Sequence, residues 1–283
     1  MAKFIDLEDQ QDKETPKTKK TYYLLILDKS GSMEGVREQT VSGFNEQVQS
    51  LKTAASEYGD QEFFVSLVVF SDADKIDTIY SCEPAHTAKE LTVPGYMTGG
   101  MTALNDAIFH GIEQLREEAD DDEDTRYVVS IFTDGDENSS QKHPGFKGRE
   151  EVNGFVEELK TTNKWVINYI GATENALKTA KDYGIAVGNT MRYADTPVGT
   201  SHAHSVISDS IATYALNRST GDDMMVNSSI TFFSDDGKAV DLTDNTPNAP
   251  VNSATTGTDN LKEFFKNASK GKDDGEEPGV SKD

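Results

Sequence analysis

The chain of 283 residues has one cysteine, Cys82, and that count excludes an internal disulfide. Basic charge is scarce: 27 Lys and Arg stand against 50 Asp and Glu, for a net charge of −23. A surface this negative repels nucleic acid and anionic membranes and suits basic partners and divalent cations. No apolar run reaches the roughly 20 residues of a membrane-spanning helix, so no membrane insertion is expected. Residues 1–9 lack a basic stretch followed by an apolar core, so no secretory signal is visible and a cytoplasmic location is expected. There is no G-x-x-x-x-G-K-[ST] phosphate loop. Histidine is sparse and scattered apart from His202 and His204, which the spacing places as surface residues diverging at a helix start.

What the chain does have is a rhythm of short apolar runs and amphipathic stretches. Residues 22–27, 63–70, 127–132 and 165–170 are compact apolar runs that predict buried strands, with a weaker strand over 185–187 and 191–193. Between them, Val41, Phe44, Val48, Leu51 and Ala55 recur at three- and four-residue steps and predict a helix over 34–57. Similar stripes predict helices from Thr102 onward, over 149–161, around 176–180 and over 201–217. Residues 76–80 follow a Ser71-Asp72-Ala73-Asp74 turn and predict an antiparallel edge strand. The acidic run 120–124 reads as a solvated connector. The expected fold is α/β: a doubly wound, mostly parallel sheet with one antiparallel edge strand, covered by helices on both faces.

The organisation expected around that core has four parts. Residues 1–20 form a polar arm, 21–218 the domain, 219–242 a β-hairpin extension, and 243–283 a linker, a short amphipathic helix over 259–270 and an acidic tail.

Three short segments carry the chemistry. Asp28-Lys29-Ser30-Gly31-Ser32 follows one apolar run, Thr102 follows Gly99-Gly100-Met101, and Asp134 opens Asp134-Gly135-Asp136 after another run. Two carboxylates and three hydroxyls are hard ligands for a hard cation. Hydroxyls donate neutral oxygens and leave much of the ion's charge unneutralised, so an incoming anionic group can complete the shell. Mg2+ is the expected ion, with Mn2+ and Ca2+ as alternatives. In doubly wound sheets, ligands bind beyond the carboxyl ends of strands where the winding reverses, and the three segments meet if their strands are neighbours there. Asp136 and Glu137 adjoin Asp134 and are expected on the rim; Asp106 is expected to steady the serine loop or a helix start.

These motifs resemble the metal-ion-dependent adhesion site of von Willebrand factor A domains, a Rossmann-like fold, over about residues 20–218. Met33, Gly43-Phe44-Asn45, Asp106-Ala107-Ile108, Gly188-Asn189 and Thr196-Pro197-Val198-Gly199-Thr200 are similar to stand-alone bacterial and phage members. The resemblance implies Ser30 and Ser32 as direct metal ligands, Thr102 and Asp134 exchanging direct and water-mediated roles, and Asp28 acting through hydrogen bonds or a water. It implies a protein partner that supplies an Asp or Glu to the ion, with an AAA+ ATPase or a component of a virion or secreted assembly as candidates. A non-enzymatic role is expected: haloacid-dehalogenase-like phosphatases carry a second Asp two residues after the first, where this chain has Ser30, and no histidine is placed as a base for Ser30.

Overall fold

The computed structural model describes residues 18–221, 231–233 and 237–243. Among the described residues, five parallel pairings and one antiparallel pairing build a seven-stranded sheet. The strands are β1 (Lys19–Asp28), β2 (Gln61–Phe70), β3 (Ile76–Pro84), β4 (Thr125–Thr133), β5 (Trp165–Gly171), β6 (Thr190–Tyr193) and β7 (Val240–Leu242). Their order across the sheet is β3-β2-β1-β4-β5-β6-β7, and only β3 runs antiparallel, against β2. The helices are α1 (Arg37–Glu57), α2 (Leu104–Glu118), α3 (Gly145–Lys160), α4 (Ala176–Asp182) and α5 (Pro197–Thr220).

The unbroken apolar run of β1 follows from burial on both faces. Tyr23, Leu25 and Leu27 pack under α1 and α5, whereas Tyr22, Leu24 and Ile26 pack under α2, α3 and α4. The chain winds from β1 outward to β2 and β3, then returns through α2 to lay β4 against the other side of β1. That reversal lies between β1 and β4, whose paired ends include Leu27 opposite Phe132. Asp28 closes β1 and Asp134 follows β4, so both carboxylates emerge at the switch point.

Several expectations change in detail. β1 begins at Lys19, inside the expected arm, because Lys19 pairs with Gln61 of β2 and its Nζ reaches Asp60 Oδ2 at 3.0 Å. The helix expected from Thr102 starts at Leu104, and the weak strand reduces to β6, with Val187–Asn189 forming a 3-10 turn.

The hairpin expected over 219–242 does not form among the described residues. β7 pairs parallel with β6, Met191 opposite Val240, and residues 231–233 are not in a strand. Phe232 and Phe233 are both buried, which a strand with one solvent face does not allow for neighbouring positions. The Phe232 N–H donates to Asn189 Oδ1 at 2.8 Å, so the segment is anchored on the β6 approach instead. The arm over 1–17 and the linker, helix and tail beyond 243 lie outside the described residues.

Candidate metal centre at the switch point

The serine loop turns back on the end of β1. Asp28 is fully buried; its Oδ1 accepts the Ser30 N–H at 2.7 Å and its Oδ2 accepts the Thr133 hydroxyl at 2.6 Å. Tyr96, itself buried, donates its hydroxyl to the Asp28 carbonyl. With its backbone held this way, the loop brings Ser30 Oγ to 3.2 Å from Ser32 Oγ, and Ser32 Oγ donates to Asp134 Oδ1 at 2.7 Å.

The Gly99-Gly100-Met101 segment is strapped across this loop. Gly31 N–H donates to Gly100 O at 3.1 Å and Gly99 N–H to Lys29 O at 2.8 Å. Gly100 has φ +83, and a Cβ there would lie 2.4 Å from Asp72 Oδ2, so only glycine fits. Asp72 also accepts the Met101 N–H at 2.9 Å. Thr102 follows directly and is 3% exposed. A Cβ on Gly135 would stand 3.1 Å from Thr102 Oγ1 and 3.8 Å from Asp28 Oδ2, which places all three together. All five expected residues, Asp28, Ser30, Ser32, Thr102 and Asp134, therefore converge.

Thr102 is held by a device that the spacing did not reveal. Its N–H donates to Asn138 Oδ1 at 2.8 Å, and its carbonyl accepts the N–H groups of Asn138 and Ser139 at 3.0 and 3.2 Å. Glu137 turns inward rather than lining the rim: it accepts from the Asn105 N–H at 2.9 Å and from Ser140 N–H and Oγ at 2.8 and 2.7 Å. It thereby supplies the cap that Ala103 cannot give to α2. Asp136 alone of the two stays exposed. Asp106 accepts from the N–H groups of Gln141, Lys142 and His143, so it shapes the loop after β4 and does not touch the serine loop. Thr133 is a further site residue that sequence spacing missed; the only available sign was its place one residue before Asp134.

The electrostatics suit a cation. Burial pushes the Asp28 carboxyl up to about 6, against the Thr133 hydroxyl and Ser30 N–H that hold it down, and the charge of Asp134 adds to the rise. Burial likewise raises Asp134, opposed by the Ser32 hydroxyl and reinforced by Asp195. Asp134 Oδ2 is buried with no hydrogen-bond partner. A carboxylate oxygen left this way is costly unless a positive group meets it. Two buried carboxylates, three nearby hydroxyls and that orphaned oxygen fit a hard divalent ion. Among the described residues, no group of three or more His, Cys, Asp or Glu is placed to hold a metal, so this centre differs in kind from a carboxylate or imidazole cage.

A doubly wound sheet with carboxylates and hydroxyls gathered at its switch point defines a Rossmann-like binding domain. Its family follows from the sequence: the model of the von Willebrand factor type A domain matches residues 24–192, and the chain belongs to that family. Among solved structures, the fold is similar to von Willebrand factor type A from Catenulispora acidiphila, at 13% identity and TM-score 0.51, over 69% of this chain and 43% of that one. It is also similar to proximal thread matrix protein 1 from the mussel byssus with a zinc-occupied MIDAS motif, at 15% identity and TM-score 0.51, over 68% of this chain and 48% of that one. A third is the pilus adhesin SpaC from Lactobacillus rhamnosus GG, at 13% identity and TM-score 0.54, over 69% of this chain and 31% of that one. The chain thus spans less than half the length of each. Among curated proteins, none matches it in sequence.

Proposed function

We propose that this domain is a divalent-metal-dependent protein-interaction module of the adaptor or adhesion type. Asp28, Ser30, Ser32, Thr102 and Asp134 would hold Mg2+ as a metal-ion-dependent adhesion site, and a carboxylate of a protein partner would complete the ion's shell. The observation that carries this reading is the buried, unpartnered Asp134 Oδ2 within a cluster of serine and threonine hydroxyls. Bound there, the ion supplies a positive charge for an incoming anionic group. The chain's own residues shape that approach: Asp28 and Asp134 fix the charge, and the three hydroxyls keep the donor set weakly neutralising.

The surface beyond the strand ends supports a protein as the partner. Met97, Met101, Phe146 and Val198 are 64%, 51%, 73% and 72% exposed, and all lie in loops or first helical turns at this edge of the sheet. Exposed methionines and aromatics beside a polar site suit a protein interface. No histidine belongs to the cluster, so the reading is one of binding rather than turnover. Among the described residues, no helix is long and apolar enough to cross a membrane.

Thermal melting tests this directly. Mg2+ or Mn2+ should raise the melting temperature over that in chelator, because an ion bound only by the folded state stabilises it by about 2.7 kcal/mol at a hundredfold excess over Kd. For a domain of this size that is a shift of roughly 5–10 °C. Ser30→Ala and Asp134→Ala should abolish the response. A wild-type protein free of bound metal that shows no shift would sink the metal reading. Pull-down from a lysate in magnesium against chelator, with Asp28→Ala as control, would then identify the partner.

A further inference from the structure

A second pocket lies beside the metal centre, and no residue of the centre lines it. It has a volume of about 210 Å3 and sits between the turn after β2, the outer face of α2 and the loop after β4. The same three stretches of chain serve the metal centre: Asp72 of that turn binds the Met101 N–H, α2 follows Thr102, and the 141–143 loop descends from Asp134.

The lining combines carboxylates with imidazoles. Asp74 and Glu113 line it and form no ion pair among the described residues. Lys75, next to Asp74, is engaged by Asp72 at 2.8 Å. His110 and His143 also line the pocket. Thr78 Oγ1 donates to Gln114 Oε1 and lies 2.9 Å from His110 Nε2. His143 Nδ1 lies 2.7 Å from Glu151 Oε2.

Asp106 also lines the pocket, but its oxygens are taken by three backbone N–H groups. Lys142 is the opposing charge in the lining. The carboxylates of Asp74 and Glu113 outnumber the one ammonium of the lining, Lys142, and leave the pocket negative. That disfavours an anion, and a metal is disfavoured because no three of these groups are placed to ligate one.

The aromatic content narrows the cation. His143 stacks on Phe109 at 3.8 Å and 18°, and Phe109 stacks on Phe155 at 5.1 Å and 4°. The far end of this ladder already carries a guanidinium, with Arg116 Cζ 5.6 Å from the Phe155 ring centroid. Guanidinium is planar, stacks on rings and has five N–H donors and no acceptor, whereas ammonium is a compact point charge. We propose that this pocket is an arginine-accepting subsite for the same protein partner whose carboxylate reaches the metal. The pairing rests on the metal-dependent reading above, while the subsite itself does not. It also answers how so acidic a domain tolerates an acidic ligand: the partner brings a compensating cation alongside.

The test is an NMR titration of the His110 and His143 ring signals with N-acetyl-arginine amide, N-acetyl-lysine amide and the neutral N-acetyl-citrulline amide, all in chelator. Arginine should give saturable shifts and bind at least about fivefold tighter than citrulline, roughly 1 kcal/mol. Lysine should fall between. The double variant Asp74→Asn/Glu113→Gln should lose that preference, and Lys142→Gln should tighten arginine binding. Shifts that fail to saturate, that match for citrulline, or that persist unchanged in the double variant would overturn the subsite.

The two readings separate cleanly. The double variant should keep the wild-type melting response to Mg2+, and Ser30→Ala should keep arginine binding. Joint use is tested with peptides holding one Asp and one Arg at glycine spacings of roughly two to six residues, since a linker that matches the span gains from effective concentration. At least one spacing should bind more tightly in Mg2+ than in chelator. If none does while each end binds alone, the shared partner is refuted and the subsite stands.

Discussion

His204 shows how much a single side chain can escape a reading of spacing. Expected at the surface beside His202, it is completely buried on α5, stacked on Phe132 at 4.4 Å. Gln47 Nε2 donates to its Nδ1 at 2.7 Å, and Gln47 Oε1 accepts the Tyr23 hydroxyl at 2.7 Å. Gly43 is open to it on α1: a Cβ there would fall 2.2 Å from the His204 ring. The sign was present, because position 204 lies three before Ile207 and seven before Ile211, on the apolar stripe of α5. Burial lowers the His204 pKa to about 3. An unfolded histidine titrates near 6.5, so between these values the unfolded chain binds more protons than the folded one. The stability is therefore whole above about pH 6.5 and is lost as pH falls toward 3, by about 2–3 kcal/mol at pH 4.5. The raised Asp28 and Asp134 carboxyls act in the opposite direction over the same range, so the His204 share is read as a difference: between pH 7 and 4.5, urea midpoints of the wild type should fall relative to those of His204→Gln.

At the scale of elements, the parallel strands were legible because burial on both faces makes each a continuous apolar run. The last part of the chain was not. Residues 230–242 read as two strands about a Gly-containing turn, but local pattern cannot name a strand's partner. The open edge of β6 takes β7, and Phe232 and Phe233 fill the core beneath, with Phe232 meeting the Tyr214 ring at 6.1 Å. This segment is therefore part of the domain's packing. Phe233→Ala should cost about 3–5 kcal/mol, the usual loss for a buried phenylalanine, read as a lower urea midpoint. A change below about 0.5 kcal/mol would mean the segment does not pack as described. The metal-site loops tell the same story. The Asn138 clamp and the Glu137 cap on Asn105 cross more than thirty residues and have no local signature.

Over the whole molecule, a net charge of −23 sets a background against which the metal must be judged. Like charges repel in the compact state, and salt screens them. Raising NaCl to about 0.5 M in chelator should lift the melting temperature gradually and without saturation, because the Debye length falls continuously. Mg2+ should instead act at far lower concentration, saturate, and depend on Ser30 and Asp134. If NaCl at matched ionic strength reproduces the whole Mg2+ effect in the wild type, the ion acts only by screening.

By itself the sequence determined the elements and the donors. Apolar runs specify strands buried on both faces, three- and four-residue stripes specify helices, and Asp28, Ser30, Ser32, Thr102 and Asp134 are hard oxygen ligands wherever they lie. The tertiary structure decided their meeting. Neighbours in a parallel sheet are chosen by crossovers and by burial over the whole sheet, and no local pattern records them. Only when β4 is laid against β1 do positions 28–32, 102 and 134 come together, with Asp134 Oδ2 buried and open to a cation.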